Sequence, residues 1–222
     1  MRVVVPFAAE TPKTRLAAVL TEPERSTFAR EMLADVLRAV VEADHEPTVV
    51  STAPLVAADL ALPDEVAEAT SVEVDDRPLT PAVNARLPAS EDDEPVAVVM
   101  ADLALATPDA LAILFATDAD VAIAPGRGGG TNGLVVRHPE FRVDYHGASY
   151  LDHREIARAA DASLETVDSF RLATDVDEPS DLVEVLVHGT GRTADQLRAF
   201  GFELERATGR LQATRARSDP TE

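Results

Sequence analysis

The sequence predicts an α/β protein built on a single doubly wound, mostly parallel sheet. Apolar runs such as Val3–Val5 and Val96–Met100 are unbroken, which is typical of strands buried on both faces of a parallel sheet. Segments with helical spacing of apolar residues alternate with these runs, as they do in doubly wound folds. The 222 residues suit one such domain, which we expect over residues 1–214, with a disordered tail over residues 215–222.

The first elements are predicted to form a strand–helix–strand unit. Residues Arg2–Pro6 are predicted as a buried strand, and residues 7–20 as a loop. A helix should begin at Thr21, because Thr21 and Glu24 have the spacing of a capping box. Its apolar residues recur at helical spacing and predict a face packed on the core. The strand Thr48–Ser51 follows, so the crossover should be right-handed.

The same signals predict the remaining elements in order. Thr107, Pro108 and Asp109 supply the cap, the proline and the acid of a helix start. The acidic stretch 89–95 is expected to be a solvated loop. The other predicted elements are helices near 54–60, 81–86, 149–160, 179–187 and 193–200, strands near 72–74, 121–124, 134–137 and 166–170, and a hairpin around Gly209.

Composition excludes several classes of protein. The formal charge of −20 should repel nucleic acid and anionic membranes, so neither is expected as a partner. The chain contains no cysteine, which excludes disulfides, thiol catalysis and zinc held by cysteine. It has no long apolar run and no signal-peptide pattern, so a cytoplasmic location is expected. Its 20 basic residues are all arginine except Lys13, which together with the acidity suggests a halophilic protein.

Four features should meet at the carboxyl edge of the sheet, where open α/β sheets bind ligands. They are the loop with Lys13 and Arg15, then Asp102, the glycine-rich segment 125–133, and the stretch Asp175–Asp177. Cations offset phosphate charge, and separated carboxylates hold a hard divalent cation, so the set indicates a metal–nucleotide site. Taken alone, each acid has a simpler explanation: Asp102 as a loop acid, and Asp177 as an acid favoured by the dipole at a helix start.

The glycine-rich segment is the most specific of these features. Gly128–Gly130 lets a backbone approach a ligand closely and expose N–H groups to an anion, and Thr131 and Asn132 add side-chain donors. It lacks the lysine and spacing of a Walker loop and lies too late in the chain for a dinucleotide fingerprint. The alternative is a flexible hairpin.

Several stretches together resemble the 2-phospho-L-lactate guanylyltransferase family, called CofC, of coenzyme F-420 biosynthesis. That family is similar to the wider nucleotidyltransferases related to molybdenum-cofactor guanylyltransferase. The resemblance runs from residue 3 to residue 191 and so covers most of the chain. The matching stretches are Val5-Pro6-Phe7, Lys13-Thr14-Arg15-Leu16, Met100-Ala101-Asp102-Leu103, Gly128-Gly129-Gly130-Thr131-Asn132, Ala148-Ser149-Tyr150 with His153, and Asp175 to Leu182.

The resemblance implies a fold and a role for each matching residue. The fold would be a Rossmann-like sheet of the nucleotide-diphospho-sugar transferase type, forming a single nucleotidyltransferase domain over residues 1–214. Mg²⁺ or Mn²⁺ would be held by Asp102 and Asp177. The catalytic group would be Lys13, Arg15, Asp102 and Asp177, nucleotide binding would involve Pro6, Phe7, Lys13, Arg15, Asn84 and Asp102, and acceptor binding would involve Thr131, Asn132, Gly147 and Ser149.

The resemblance implies transfer of GMP from GTP to 2-phospho-L-lactate. The family also suggests a homodimer. Phosphoenolpyruvate remains open as the acceptor, since it offers the same phosphate and carboxylate. A sugar-phosphate or molybdopterin guanylyltransferase is a further alternative, against which the glycine-free first loop argues. A non-catalytic module that binds GTP and a structural partner protein are the alternatives from other classes.

Two departures and one further metal hypothesis complete the sequence interpretation. The first loop contains no glycine, unlike the wider nucleotidyltransferases, and Ala8 stands where similar archaeal sequences have a lysine. One phosphate-binding cation is therefore missing. His146 and His153 lie seven residues apart and suggest zinc only weakly, so His153 is interpreted as a supporting group beside the acceptor site.

Overall fold

The computed structural model describes residues 1–10, 12–207 and 209–215. Within them, seven strands form one sheet in the order β3-β2-β1-β4-β6-β5-β7, and two further strands form a hairpin. The strands are β1 Arg2–Phe7, β2 Pro47–Ser51, β3 Ser71–Val74, β4 Val96–Val99, β5 Val121–Pro125, β6 Thr131–Val136, β7 Leu164–Thr166, β8 Phe202–Ala207 and β9 Arg210–Arg215. Every pairing in the large sheet is parallel except the two made by β6, so the predicted mostly parallel sheet is confirmed.

Helices follow or precede most strands of the sheet. They are α1 Glu22–Val41, α2 Asp64–Ala69, α3 Leu79–Asn84, α4 Pro108–Phe115, α5 Ser149–Ala159, α6 Phe170–Ala173, α7 Leu182–His188 and α8 Arg192–Ala199. Short 3-10 helices occupy Thr14–Ala18, Ala57–Leu60 and Pro179–Asp181. The predicted loop 7–20 therefore contains a helical turn. The sequence interpretation missed α2 altogether. None of the helices in the described ranges is both long enough and apolar enough to cross a membrane.

Strand β1 shows why the sheet is covered on both faces. Val3 and Val5 belong to one apolar cluster with Phe28 of α1, whereas Val4 belongs to a second cluster with Val83 of α3. Neighbouring side chains of a strand point to opposite faces, so an unbroken apolar run supplies both clusters at once. The capping prediction for α1 is also confirmed, because the Glu24 carboxylate accepts the Thr21 backbone N–H at 2.8 Å.

The glycine-rich segment is a hairpin loop of five residues, 126–130, between β5 and β6. The predicted loop extended to Gly133, and the following strand was predicted from Leu134, so this boundary was wrong by three residues. Gly133 lies within β6, where a Cβ would meet Leu114 of α4 at 2.8 Å. That glycine marks the close approach of a helix to a strand, and not a turn.

The predicted strand 166–170 was also wrong, since only Thr166 of these five residues lies in a strand. Strand β7 ends at Thr166, and α6 begins at Phe170. The Ser169 hydroxyl accepts the Leu172 N–H at 3.4 Å and caps this short helix. A serine before an apolar residue was read as the end of a strand, although it starts a helical turn.

The predicted hairpin around Gly209 is confirmed by the antiparallel pairing of β8 with β9. Gly209 has a φ of 83°, a conformation that glycine adopts without steric cost. The chain was predicted to become disordered from residue 215. Arg215 instead ends β9 and forms an ion pair with Glu24 of α1, while residues 216–222 lie outside the described part of the chain.

Candidate active site

A cavity of about 430 Å³ opens at the carboxyl ends of β1 to β4. Among its lining residues are Pro6 and Phe7 from the end of β1, and Lys13 from the loop that follows. Asp102 and Asp177 also line it. The structure therefore brings together three of the four predicted features at one edge of the sheet.

Lys13 joins the two candidate metal ligands. Its ammonium lies 2.7 Å from Asp102 Oδ2 and 2.7 Å from Asp177 Oδ1, with only 11% of the side chain exposed. Burial alone would lower the pKa of Lys13, but the two carboxylates outweigh it and hold the pKa above its ordinary value. The lysine is thus charged at neutral pH. It neutralises one of the two negative charges of Asp102 and Asp177.

Arg15 is placed differently from Lys13. Its side chain is 69% exposed, and its guanidinium lies 3.4 Å from Asp177. A contact of this length at the surface contributes little to stability, so the arginine is available for another anion. The chain reverses just before it, because Lys13 has a φ of 54° and caps the 3-10 helix Thr14–Ala18. This left-handed turn directs both cations to the same rim.

Backbone hydrogen bonds hold the two acidic loops together. The Val176 N–H donates to the Asp102 carbonyl at 3.2 Å, and this bond fixes the distance between the two loops that carry the acids. The Asp177 N–H donates to the Asp181 carboxylate at 3.0 Å. Arg127 of the glycine loop pairs with the other oxygen of Asp181 at 3.1 Å. The position of the Asp177 loop is therefore set by local contacts that need no ligand.

The two carboxylates fit a hard divalent cation. Asp102 Oδ1 is buried and has no hydrogen-bond partner, which is costly unless a ligand completes it. The described residues contain no group of three or more candidate metal-ligating side chains. Mg²⁺ suits such a sparse site, because it commonly takes one or two carboxylates and completes its shell with water and substrate phosphates. Mn²⁺ has similar oxygen preferences.

Magnesium is expected to stabilise the protein through these two residues. A cation that binds only the folded state raises its stability by about 2.7 kcal/mol at one hundred times the dissociation constant. We expect a rise in the melting temperature of the parent protein with Mg²⁺ and little rise for Asp177→Asn. Differential scanning fluorimetry at constant high ionic strength measures both. Asp195→Asn is the matched control, since Asp195 is 80% exposed. Equal shifts in all three proteins would exclude Asp177 as a ligand.

Asp175 is a member of the site whose role the sequence interpretation left unassigned. It accepts a hydrogen bond from the Asn132 side-chain amide at 3.0 Å. Burial raises the pKa of the Asp175 carboxyl, and the charges of Asp102 and Asp177 act in the same direction, against the Asn132 bond. Its place two residues before Asp177 was a signal, because alternate residues of an extended chain point to the same side.

Asn132 was predicted to bind the acceptor, and the structure shows a side chain occupied within the protein. Its amide nitrogen donates to the Leu172 carbonyl at 2.9 Å as well as to Asp175. Its backbone carbonyl accepts the Met100 N–H at 3.0 Å, next to Asp102. A Cβ on Gly126 would lie 2.6 Å from its side-chain oxygen. Asn132 therefore ties the ends of β4 and β6 to the loop of Asp175.

Thr131 was also predicted to bind the acceptor, together with Gly147 and Ser149. Thr131 is only 4% exposed, and its hydroxyl lies 2.9 Å from His153 Nδ1. Ser149 is the first residue of α5 and is likewise buried, whereas Gly147 is exposed with a φ of 53°. The Gly129 carbonyl accepts an N–H from the first turn of α5 at 3.1 Å. The glycine loop and the start of α5 are therefore adjacent, as the prediction requires.

Asn84 was predicted to lie near the nucleotide, but it is absent from the cavity lining. Its side chain instead forms two hydrogen bonds with the backbone of Val143, donating to the carbonyl at 2.9 Å and accepting the N–H at 2.8 Å. The amide group is thus committed to joining α3 to the segment before α5. This arrangement supports a structural role.

Replacement of Asn84 tests that role. Asn84→Ala should lower the free energy of unfolding by about 1–3 kcal/mol, because a backbone N–H and a carbonyl lose their partner. The KM for the nucleotide should change little. Chemical denaturation and steady-state kinetics measure the two effects. Asn84→Asp is the control, since it can still accept the Val143 N–H and should lose less stability. A large rise in nucleotide KM without loss of stability would restore the binding role.

The cavity also contains charged residues that the sequence interpretation did not select. Asp75, which follows β3, accepts two hydrogen bonds from Arg77 side-chain nitrogens, at 2.8 and 2.7 Å. Arg86 donates to the same carboxylate at 2.7 Å. These arginine bonds hold the pKa of Asp75 well below its usual range. The signal was its place directly after a strand of the sheet, which is shared by many surface acids.

A mostly parallel sheet whose carboxyl edge places one lysine between two aspartates, beside a cavity, is the arrangement expected of a nucleotidyltransferase. Solved structures support the fold. A putative nucleotide-diphospho-sugar transferase from Desulfovibrio desulfuricans G20 superposes with a TM-score of 0.69 at 17% identity, covering 89% of this chain and 94% of that one. A nucleotidyl transferase from Methanothermobacter gives 0.54 at 16% identity, covering 89% and 98%.

The chain belongs to the family described as "Guanylyl transferase CofC like", whose model matches residues 1–217. Similar proteins named 2-phospho-L-lactate guanylyltransferase occur in Haloterrigena turkmenica, at 68% identity over 97% of both chains, and in Natrialba magadii, at 61% identity over 98% of this chain and 100% of that one. One from Methanosphaerula palustris is 42% identical over 96% of this chain and 97% of that one. The resemblance noted in the sequence is therefore confirmed.

Proposed function

We propose that this enzyme transfers GMP from GTP to 2-phospho-L-lactate, giving lactyl-2-diphospho-5'-guanosine and pyrophosphate in coenzyme F-420 biosynthesis. The observation that carries the proposal is the cluster of Lys13, Asp102 and Asp177 in a chain of this family. The names of its relatives supply the nucleotide and the acceptor. A module that only binds GTP would not require a lysine held between two carboxylates.

The reaction is an in-line displacement at phosphorus. A phosphate oxygen of the acceptor bonds to the α-phosphorus of GTP, and the bond from that phosphorus to the bridging oxygen breaks, so pyrophosphate leaves with the electron pair. The acceptor oxygen is already anionic, so no residue has to remove a proton. The protein therefore acts by positioning the reactants and by stabilising charge.

Asp102 and Asp177 would hold Mg²⁺ or Mn²⁺, which neutralises phosphate charge when bound. Lys13 is a compact cation within reach of both acids, suited to meet a phosphate oxygen beside them. Arg15 is exposed at the same rim and adds a second cation, which matters because Ala8 supplies none. Pro6 and Phe7 line the cavity and would pack on the nucleoside.

The acceptor would lie between the glycine loop and the start of α5. Gly129 faces this helix, since a Cβ on it would meet Ala148 at 3.7 Å. Backbone N–H groups of this loop and of a helix start attract phosphate and carboxylate. Gly147 and Ser149 would contribute from α5, and Thr131 from β6. Asn132 would act by holding this region to the acid loops, as its contacts support.

A matrix of substrates tests the proposal. Pyrophosphate release is measured in high salt with Mg²⁺, with each of the four nucleoside triphosphates against 2-phospho-L-lactate and against phosphoenolpyruvate. We expect release with GTP and 2-phospho-L-lactate. Mass spectrometry of the same reaction should then identify lactyl-2-diphospho-5'-guanosine. Release with GTP and phosphoenolpyruvate, but not with 2-phospho-L-lactate, would identify phosphoenolpyruvate as the acceptor. Folded protein that binds GTP but releases nothing with either acceptor would favour the non-catalytic module. Light scattering of the same sample tests the predicted homodimer.

A further inference from the structure

His153 of α5 is fully buried and uses both ring nitrogens. Nδ1 lies 2.9 Å from the Thr131 hydroxyl, and Nε2 lies 2.9 Å from the backbone nitrogen of Asp144. The zinc hypothesis does not account for these contacts, since each nitrogen has a protein partner. His146, the other member of that hypothesis, is 81% exposed and pairs with Asp144.

These contacts decide where the proton of the ring lies. A backbone N–H can only donate, so Nε2 must accept with its lone pair and cannot carry a hydrogen. The neutral ring must then carry its proton on Nδ1. Burial lowers the pKa of His153 to about 4, so the ring is neutral at physiological pH. Nδ1–H therefore donates to the Thr131 oxygen, and Thr131 does not donate to the ring.

The surroundings of the ring hold this arrangement. Tyr145 packs against it edge to face, with ring centroids 5.2 Å apart, and Phe141 lies at 5.9 Å. Turning the ring over would place C–H groups against both Thr131 and the Asp144 N–H, so both hydrogen bonds would be lost. The ring thus has one orientation and one tautomer that satisfy its neighbours.

The consequence concerns the Thr131 hydroxyl. Its oxygen receives the histidine proton, so its own hydrogen must point elsewhere. Within the described residues, no other side-chain hydrogen bond is formed by this hydroxyl. Thr131 follows the glycine loop directly and precedes Asn132, which is bonded to Asp175 beside the metal acids. A directed O–H group is therefore available next to the region where the acceptor anion would bind.

We propose that His153 is a positioning residue, which fixes the Thr131 hydroxyl as a hydrogen-bond donor to an anionic oxygen of the acceptor. The inference rests on the proposed function, since it assumes that a phosphorylated carboxylic acid occupies this place. His153 itself touches no substrate. Because the Thr131 oxygen accepts the histidine proton, the hydroxyl meets a ligand as a hydrogen-bond donor, and a donor favours an anion.

Nuclear magnetic resonance tests the tautomer without any substrate. In protein labelled with ¹⁵N-histidine, the His153 signals are assigned by their absence from His153→Asn. We expect a protonated Nδ1 and an unprotonated Nε2 at pH 7, and a ring still neutral at pH 6. A protonated Nε2, or an imidazolium at pH 6, would overturn the proposal whether or not the enzyme is active.

Kinetics test the consequence. His153→Leu should raise the KM for 2-phospho-L-lactate about tenfold or more, because a hydrogen bond to a charged group is weakened, with the KM for GTP little changed. Thr131→Val should give the same split. His153→Asn can still donate from its amide near the Nδ1 position and should recover part of the loss. His188→Leu is the control, since His188 is on α7 and 44% exposed.

The two hypotheses fail in different ways. An inactive parent enzyme whose His153 carries its proton on Nδ1 would refute the proposed reaction and leave the geometry in place. An active parent enzyme in which His153→Leu raises both KM values equally, or in which His153→Asn behaves like His153→Leu, would overturn the positioning role. Such results would assign His153 to packing alone.

Discussion

Asp102→Asn should reduce guanylyl transfer by about a thousandfold while the fold stays intact. The substitution keeps the shape of the side chain but removes its negative charge and one of its acceptor oxygens. Oδ1 is the buried atom without a partner, and Oδ2 accepts from Lys13. An amide would present its N–H groups either to the Lys13 ammonium or on the side of Oδ1, where the cation would bind. Loss of one preorganised electrostatic group typically costs 10² to 10³ in rate, and this one would also hold the cation.

Pyrophosphate release at saturating GTP and acceptor measures this effect, with circular dichroism to verify the fold. Asp118→Asn is the matched control, because Asp118 is an exposed acid outside the site. We also expect that raising Mg²⁺ recovers little activity, because the amide is a poor replacement for a charged ligand. An Asp102→Asn enzyme with nearly the parent rate would remove Asp102 from the site.

The residues that act by charge were the ones best predicted from sequence. Lys13 is conspicuous as a single lysine, and Asp102 and Asp177 each follow a predicted strand or precede a predicted helix. The rule that ligands bind at the carboxyl edge of the sheet then places them together. The structure brings them within 2.7 Å of Lys13. Their roles in metal binding and catalysis remain predictions.

Residues that act by hydrogen bonding were harder to assign. An asparagine or threonine binds a substrate or the protein backbone with the same atoms, and the sequence does not show which partner it meets. The Asn84 side chain forms hydrogen bonds with Val143, and the Asn132 side chain with Leu172 and Asp175. Both choices depend on segments that are at least 40 residues away in the chain. Local spacing carries no information about such partners.

Glycines misled the prediction for a related reason. The hairpin 126–130 uses glycine for its turn, with Gly129 at a φ of 84°. Gly133 is glycine because Leu114 of α4 lies against it. The two requirements leave the same residue type in the sequence, so strand β6 was predicted to begin too late. As a result, Thr131 was assigned to a loop, although it lies in a strand and faces a buried histidine.

Lys13→Gln should lower activity by about a hundredfold or more and should also change the response to metal. Glutamine is of similar length and equally strained at a φ of 54°, so the comparison isolates the charge. Without the ammonium, Asp102 and Asp177 face each other uncompensated. We expect the free energy of unfolding to fall by about 1–2 kcal/mol, less than for a fully buried pair because Asp177 is 38% exposed.

Metal should then restore more stability to the variant than to the parent protein. In the parent, the ammonium already occupies the space between the two carboxylates and opposes the approach of a second cation. In Lys13→Gln, the same carboxylates attract Mg²⁺ without that competition. The rise in melting temperature with Mg²⁺ should therefore be larger for the variant, even though its activity is lower. Arg15→Gln is the control, since the Arg15 guanidinium is exposed and contacts one of the two acids, at 3.4 Å. A smaller Mg²⁺ shift in Lys13→Gln would mean that the lysine helps to hold the metal site, and that the competition inferred from the 2.7 Å contacts is absent.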